Sequence, residues 1–198
     1  MAFFRTISVT DLIPVIPGDG VVLRAPQMSD YAAWAELREQ SRAFLTPWEP
    51  TWPQDELTRA SFRRRLKRYS EDMRADLSYP FFLFEKEPQR LLGGLTLTNV
   101  RRGVAQTASL GYWIGEPFAR CGRMTAGVRA LIPFVFDALR LHRLEAACIP
   151  TNEASIRLLE RTGFVREGRA RQYLCINGLW QDHLLYARLR DDPVSPPL

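Results

Sequence analysis

Cysteine and histidine are scarce in this chain: Cys121, Cys148, Cys175 and two histidines among 198 residues. An odd number of cysteines without CxxC spacing excludes a disulfide framework. So few sulfur and nitrogen ligands also leave no zinc centre to build, and no metal is expected. This cysteine usage fits a reducing cytoplasm. Long apolar runs are missing too: Phe3-Phe4 and Leu12-Ile13 are interrupted by Arg5, Asp11, Pro14 and Pro17 before a signal-peptide core or a membrane span can form. A soluble cytoplasmic protein with no membrane partner is expected. There is no repeat with a period of about 20–50 residues and no low-complexity tract, so the fold must be built once.

What is present is sufficient for one ordinary core. Hydrophobic residues make up 46% of the chain, and the net charge of +5 favours an anionic partner: nucleic acid, a phosphorylated cofactor or an acidic surface. Residues 1–20 read as an irregular lead-in, 21–190 as a single domain and 191–198, with three prolines, as a tail.

The stretch from Leu110 to Val128 organises the rest. It reads as a strand ending near Ile114, a turn punctuated by Gly115 and Pro117, and a second turn at Arg120 to Arg123 that opens into an amphipathic helix. The first turn of a helix leaves backbone N–H groups unpaired and carries about half a positive charge, so it suits an anion such as a phosphate. Gly122 allows close approach, and Arg120 and Arg123 add positive charge. The spacing matches neither the GxxxxGK[ST] nor the GxGxxG pattern, and an ordinary strand-to-helix connection would look the same.

Before that stretch, Val21 to Ala25 reads as a strand, and Ser29 or Asp30 caps a helix ending near Gln40 with Tyr31, Trp34, Ala35 and Arg38 on one face. Phe44-Leu-Thr-Pro-Trp-Glu-Pro50 makes a rigid aromatic corner. Residues 54–77 are predicted to form a long helix with Phe62, Leu66, Tyr69, Met73 and Leu77 on its apolar stripe. Its other side holds Arg59, Arg63, Arg64, Arg65, Lys67 and Arg68, either a solvated face or a docking surface for RNA or an acidic protein segment. Tyr79 to Glu85, Leu91 to Asn99 and Thr107 to Ile114 form an antiparallel meander, with Phe81 to Phe84 buried on both faces.

After the central stretch, Met124, Val128, Leu131, Ile132, Val135, Phe136 and Leu139 give a broad apolar helix face, bent at Pro133. Arg143 to Ile149 returns parallel to the strand before that helix. Asn152 caps a helix ended by Gly163, Phe164 starts a strand, and Asn177-Gly178 turns it into the last strand, Trp180 to Leu189. The expected fold is mixed α+β: about seven mostly antiparallel strands, one central βαβ crossover and about four helices.

This order of elements, over roughly residues 20–190, resembles the GNAT superfamily of acetyl-CoA-dependent N-acetyltransferases, and within it the ribosomal-protein-alanine N-acetyltransferases. The resemblance is carried by Phe44 to Pro50, Thr98-Asn-Val-Arg-Arg-Gly103, Leu110-Gly-Tyr-Trp-Ile-Gly115, Leu141-His-Arg143, Asn152-Glu-Ala-Ser155 with Gly163-Phe164, and Asn177 to His183. It implies acetyl-CoA as donor, no metal, and direct transfer to an amine. A base or a base-held water would take the amine proton, and a hydroxyl would protonate the departing sulfur.

The pyrophosphate pattern [QR]xxGx[GA] falls on Ala119 to Met124 and matches only at Gly122, leaving the backbone of Cys121, Gly122, Arg123, Met124 and Thr125 as donors. The resemblance implies that the oxyanion donor comes from the strand around Trp113 to Gly115, with Trp113 and Ile114 as cofactor contacts. Asn152 is a cofactor contact or simply a helix cap. Ser155 is the proton donor, a cofactor contact or a capping residue; the tyrosine of many relatives is here Leu159. Glu145 either faces the cleft as the base or pairs with an arginine on the sheet surface, since the glutamate some relatives use is here Leu174. Trp48, Glu49 and Trp52 would line the peptide groove. The implied partner is the N-terminus of a ribosomal protein or the ribosome itself. A small-molecule amine, or RNA binding with little transfer activity, are the alternatives.

Overall fold

Apolar alternation and turn chemistry together produce one mixed sheet, seen in a computed structural model that describes residues 14–193. The readings made for residues 1–13 and 194–198 lie outside the described residues. The strands are β1 (Ile16–Pro17), β2 (Val21–Arg24), β3 (Tyr79–Glu85), β4 (Leu91–Arg101), β5 (Thr107–Ile114), β6 (Arg143–Cys148), β7 (Val165–Ile176) and β8 (Leu179–Leu189), and they lie in the order β1-β2-β3-β4-β5-β6-β8-β7. Only β5 and β6 run parallel, as the helical crossover between them requires. The count exceeds the expected seven by the two-residue β1, which pairs with β2 inside the segment read as irregular.

The helices are α1 (Tyr31–Gln40), the single turn α2 (Arg42–Leu45), α3 (Arg59–Arg74), α4 (Arg123–Pro133) and α5 (Glu153–Arg161). The long helix expected over 54–77 is shorter at both ends. Residues 54–58 spend their hydrogen bonds on turns, Glu56 N–H to Pro53 O and Thr58 N–H to Asp55 O, and the Thr58 hydroxyl then caps α3 by accepting from Ser61 N–H at 3.1 Å. At the other end Asp76 takes φ 57°, and Leu77 leaves the stripe, 53% exposed. The bend expected at Pro133 is accommodated differently: its missing N–H breaks the ladder, and five residues, Phe134–Ala138, continue as a π-helical turn closed by Leu139 N–H to Phe134 O at 2.9 Å.

Alternation along the strands builds a core on each face. Phe81, Leu83, Leu95, Leu97, Ala108 and Leu144 join Val128, Leu131 and Leu159 from α4 and α5, whereas Phe82, Phe84 and Leu91 join Trp34, Leu37 and Phe62 from α1 and α3. The Phe81–Phe84 run is buried on both faces, as its continuous apolar character requires. At the far edge Asn177 (φ 46°) and Gly178 (φ 79°) make the two-residue hairpin turn their pairing calls for.

Candidate active site

The sheet splits in its middle. β5 and β6 pair at Thr107–Arg143, Ala108–Leu144 and Ser109–Glu145, after which β5 continues along β4 to Ile114 while β6 continues along β8 to Cys148. The wedge between them leaves backbone groups of β5 beyond Ser109 without a strand partner on that side. Close contact with β4 holds β5 in place: a Cβ on Gly93 would lie 2.2 Å from the Trp113 carbonyl oxygen, and one on Gly94 would lie 2.6 Å from the Trp113 Nε1. Beyond the strand, Gly115 N–H donates to Leu92 O at 2.8 Å, and Glu116 N–H to the hydroxyl of buried Ser41 at 2.9 Å.

One side of the wedge leads to the N-terminus of α4. Gly122 is its N-cap at φ 74°, a left-handed conformation that suits glycine, and no side chain caps the helix. Nothing lies within 4 Å of where a Cβ on Gly122 would stand. The space beside the helix start is open at Gly122, and the helix dipole ends there, an arrangement that fits a pyrophosphate.

The other side leads to α5. Asn152 Oδ1 accepts from Ser155 N–H at 3.1 Å, which fixes the helix start and sets Ser155 on its first turn. The Ser155 hydroxyl is hydrogen-bonded to Tyr112 OH at 2.5 Å, and the Cys148 thiol of β6 belongs to the same electrostatic neighbourhood. Ser155 thus links the start of α5 to β5 through Tyr112. Burial pushes the Tyr112 phenol well above its ordinary value and the Cys148 thiol up to about 11. Both groups stay protonated and neutral at physiological pH.

Trp113, next to Tyr112, points to the opposite face, where the Arg38 guanidinium lies 4.9 Å from its ring and 4.2 Å from that of Trp52. Both terminal nitrogens of Arg38 donate to the Glu49 carboxylate at 2.7 Å, and Trp52 Nε1 donates to the same carboxylate at 2.7 Å. The backbone carbonyl of Glu49 accepts from Asn177 N–H at 2.8 Å, which docks the β7–β8 turn on the aromatic corner. Corner and hairpin together form a wall beside the wedge.

Comparison with known proteins places this geometry. Residues 21–165 match the family model described as an acetyltransferase (GNAT) domain. The chain belongs to the GNAT acetyltransferases. The enzyme is 32% identical over 174 residues to the [ribosomal protein uS5]-alanine N-acetyltransferase of Escherichia coli K12, covering 88% of this chain and 90% of that protein. Its structure is similar to that of the ribosomal-protein-S5-alanine acetyltransferase of Vibrio fischeri, with a TM-score of 0.84 and 31% identity over 93% of this chain and 100% of that one. It also resembles Mycobacterium smegmatis RimJ in complex with CoA-disulfide, with a TM-score of 0.82 and 31% identity over 89% and 86% of the two chains.

The acetyltransferase places its sequence-predicted site residues unevenly. Gly122 and the backbone of Arg123, Met124 and Thr125 stand at the α4 terminus, but the Met124 and Thr125 side chains are buried. The Arg123 side chain is directed to Glu85 at 2.8 Å, so the positive charge expected at the loop is partly consumed by β3. Arg120 and Cys121 are exposed, and Arg120 takes φ 60°. Ile114 packs partly into the main core, and Asn152 caps α5. Trp48 is exposed on the corner, whereas the carboxylate of Glu49 accepts from Arg38 and Trp52, once at Oε1 and twice at Oε2.

Glu145 makes the sheet-surface ion pair that was one of its two readings: it accepts from Arg143 Nε at 2.8 Å, with Arg101 at 3.9 Å. It shares its face with Ser109, opposite Ser155, and stands at the closed end of the wedge. On α3, Arg64 pairs with Asp55, Arg65 with Glu56 and Lys67 with Glu71, and Arg59 lies over Tyr31, so much of the basic face is spent within the fold. Among the described residues no group of three His, Cys, Asp or Glu is placed to hold a metal, and no helix is long and apolar enough to cross a membrane.

Tyr112 and Cys148 are the residues that sequence reasoning missed. The available signal was parity: Tyr112 alternates with Trp113, whose neighbour on β4 is glycine, so one ring must face each side of β5.

Proposed function

We propose that the enzyme uses acetyl-CoA to acetylate the N-terminal α-amino group of a ribosomal protein in the cytoplasm. The observation that supports this most is nearly full-length similarity to the uS5-alanine N-acetyltransferase of Escherichia coli, together with a wedge walled by an aromatic corner and a hairpin.

The chain's own groups divide the work in this reading. The α4 first-turn N–H groups hold the pyrophosphate. The unpaired β5 edge at Trp113 and Ile114 holds the thioester carbonyl and stabilises the charge that develops on its oxygen. Ser155 gives its proton to the sulfur as the carbon–sulfur bond breaks. An α-amino group, with a pKa of about 8, is partly neutral already at physiological pH, and water in the open wedge carries its proton away. Trp48 lines the peptide path.

The test is thiol release from acetyl-CoA with N-terminal peptides beginning with Ala, Ser or Met, alongside polyamines and aminoglycosides. Turnover restricted to Ala- or Ser-initiated peptides supports the reading. Turnover on small amines alone replaces it with a small-molecule acetyltransferase.

A further inference from the structure

Ser155 is poorly suited to proton donation by itself. A serine hydroxyl is a weak acid, and as it releases its proton the charge growing on its oxygen needs a partner. A donor held in place by the fold can supply that partner without having to be reoriented during the reaction. Its hydroxyl hydrogen must also point at the departing sulfur, although the oxygen can rotate it elsewhere.

The geometry points to Tyr112 as a positioning residue for acetyl transfer: its phenol donates to Ser155 Oγ, turns the serine proton toward the wedge and steadies the oxygen while that proton moves to sulfur. Two independent contacts fix the serine. Asn152 holds its backbone at the start of α5, and Tyr112 holds its oxygen across the wedge at 2.5 Å. Tyr112 keeps its proton because burial disfavours the phenolate, so it has one to donate, and it stands on β5 directly before the residues read as carbonyl donors. A phenol is a stronger hydrogen-bond donor than a thiol such as that of Cys148 on β6.

The bookkeeping of the step is simple. The amine nitrogen bonds to the acetyl carbon and the carbon–sulfur bond breaks. The electron pair stays on sulfur, which takes the Ser155 proton. Ser155 is reprotonated by the proton the amine gives up to water, and Tyr112 keeps its own proton throughout.

This inference rests on the acetyl-transfer reading, and the experiment separates the two. Wild type, Tyr112→Phe, Ser155→Ala and the double variant are compared for kcat and for KM of acetyl-CoA on the best acceptor, and for the rise in Tm caused by CoA. Tyr112→Phe should lower kcat by about tenfold to a hundredfold, the range for a hydrogen bond to developing charge. KM for acetyl-CoA should stay within about twofold, because the interaction removed is one that strengthens only as charge develops in the transition state. The double variant should be no slower than Ser155→Ala, since the tyrosine acts only through the serine.

Three results would overturn the inference: an unchanged kcat in Tyr112→Phe, losses that multiply in the double variant, or a Tyr112→Phe protein that no longer gains Tm from CoA. The last would mark a merely structural role. Ser155→Thr, which keeps the hydroxyl, gives a second check: adding Tyr112→Phe to it should again lower kcat, and no change would overturn the inference. A wild-type enzyme that acetylates no acceptor at all overturns the acetyl-transfer reading together with this one.

Discussion

Two polar clusters lie on opposite faces of β5, under neighbouring residues, and they have opposite characters. Beneath Trp113, the Glu49 carboxylate accepts from Arg38 twice and from Trp52 once, so most of its acceptor sites are taken by its own chain. Beneath Tyr112, Ser155 joins the start of α5 to β5 through a single hydroxyl–hydroxyl hydrogen bond, and the proposed proton donation is placed there. A carboxylate near an aromatic corner and a serine on a helix start looked equally functional in sequence. Their partners separate them: the first is a charged pair that ties helix to corner, and the second joins two neutral hydroxyls across the wedge.

The sharpest way to break this contrast is Arg38→Ala. Removing one member of a buried ion pair strands the other, which costs about 3 kcal/mol or more. For a domain of this size that lowers Tm by roughly 6–12 °C. Loss of the corner's order should also raise KM for a peptide acceptor more than KM for acetyl-CoA. A thermal melt within about 2 °C of wild type would show that the Trp113 cluster is dispensable and that filled hydrogen bonds do not mark structure here.

A second, smaller effect belongs to the Tyr112 side. Cys148, held up to about 11 by burial, has an ordinary value of 9.0 in the unfolded chain. Between these values the unfolded chain loses the thiol proton while the folded chain keeps it. The unfolded state therefore binds fewer protons, and stability falls as pH rises through this interval. Below pH 9 the thiol contributes no slope. Tyr79, raised to about 12 by burial first and its bond to Asp76 next, adds a decline of the same sign at higher pH. Melts between pH 8 and 11 should show Tm falling from about pH 9, with a shallower fall in Cys148→Ala. Identical slopes in the two proteins would place the thiol in a wetter setting than the cluster implies.

Most of the fold was legible because its signals are local. The Phe81–Phe84 run, the Asn177-Gly178 turn, the Asn152 cap and the single-helix crossover each determine a short stretch with little outside help. The ends of α3 were not, because the stop at Thr58 depends on hydrogen bonds that residues 54–58 make among themselves, and the apolar spacing continues past Asp76 regardless. The backbone of the candidate site was legible as local structure: Gly122 at a helix start and the strand before it. It was illegible where it depends on pairing at a distance. Tyr112 and Ser155 are 43 positions apart, and Arg38 and Glu49 are 11 apart, so neither pair follows from spacing. Arg123 shows the same limit from the other side: its place in the loop was correct, but Glu85 decides where its charge goes.

The smallest expected effect is that of Glu145→Gln, and it tests the contrast most finely. Glu145 is one-third exposed, and its main partner Arg143 is also paired to Glu167. A surface network of this kind contributes about 1 kcal/mol or less, and Gln keeps the side chain's length and one acceptor. With Glu167 still present, Arg143 does not become isolated. Tm should therefore move by no more than about 2–4 °C. The value of kcat should stay within about twofold, with the pH profile unchanged, because proton removal from the amine does not pass through this carboxylate. A loss of about a hundredfold or more, with displacement of the acidic limb of the profile, would make Glu145 the base. The Arg143 pair would then be a device that keeps a catalytic carboxylate ionised, and the filled-versus-open distinction would fail at the residue where both readings were open in the sequence.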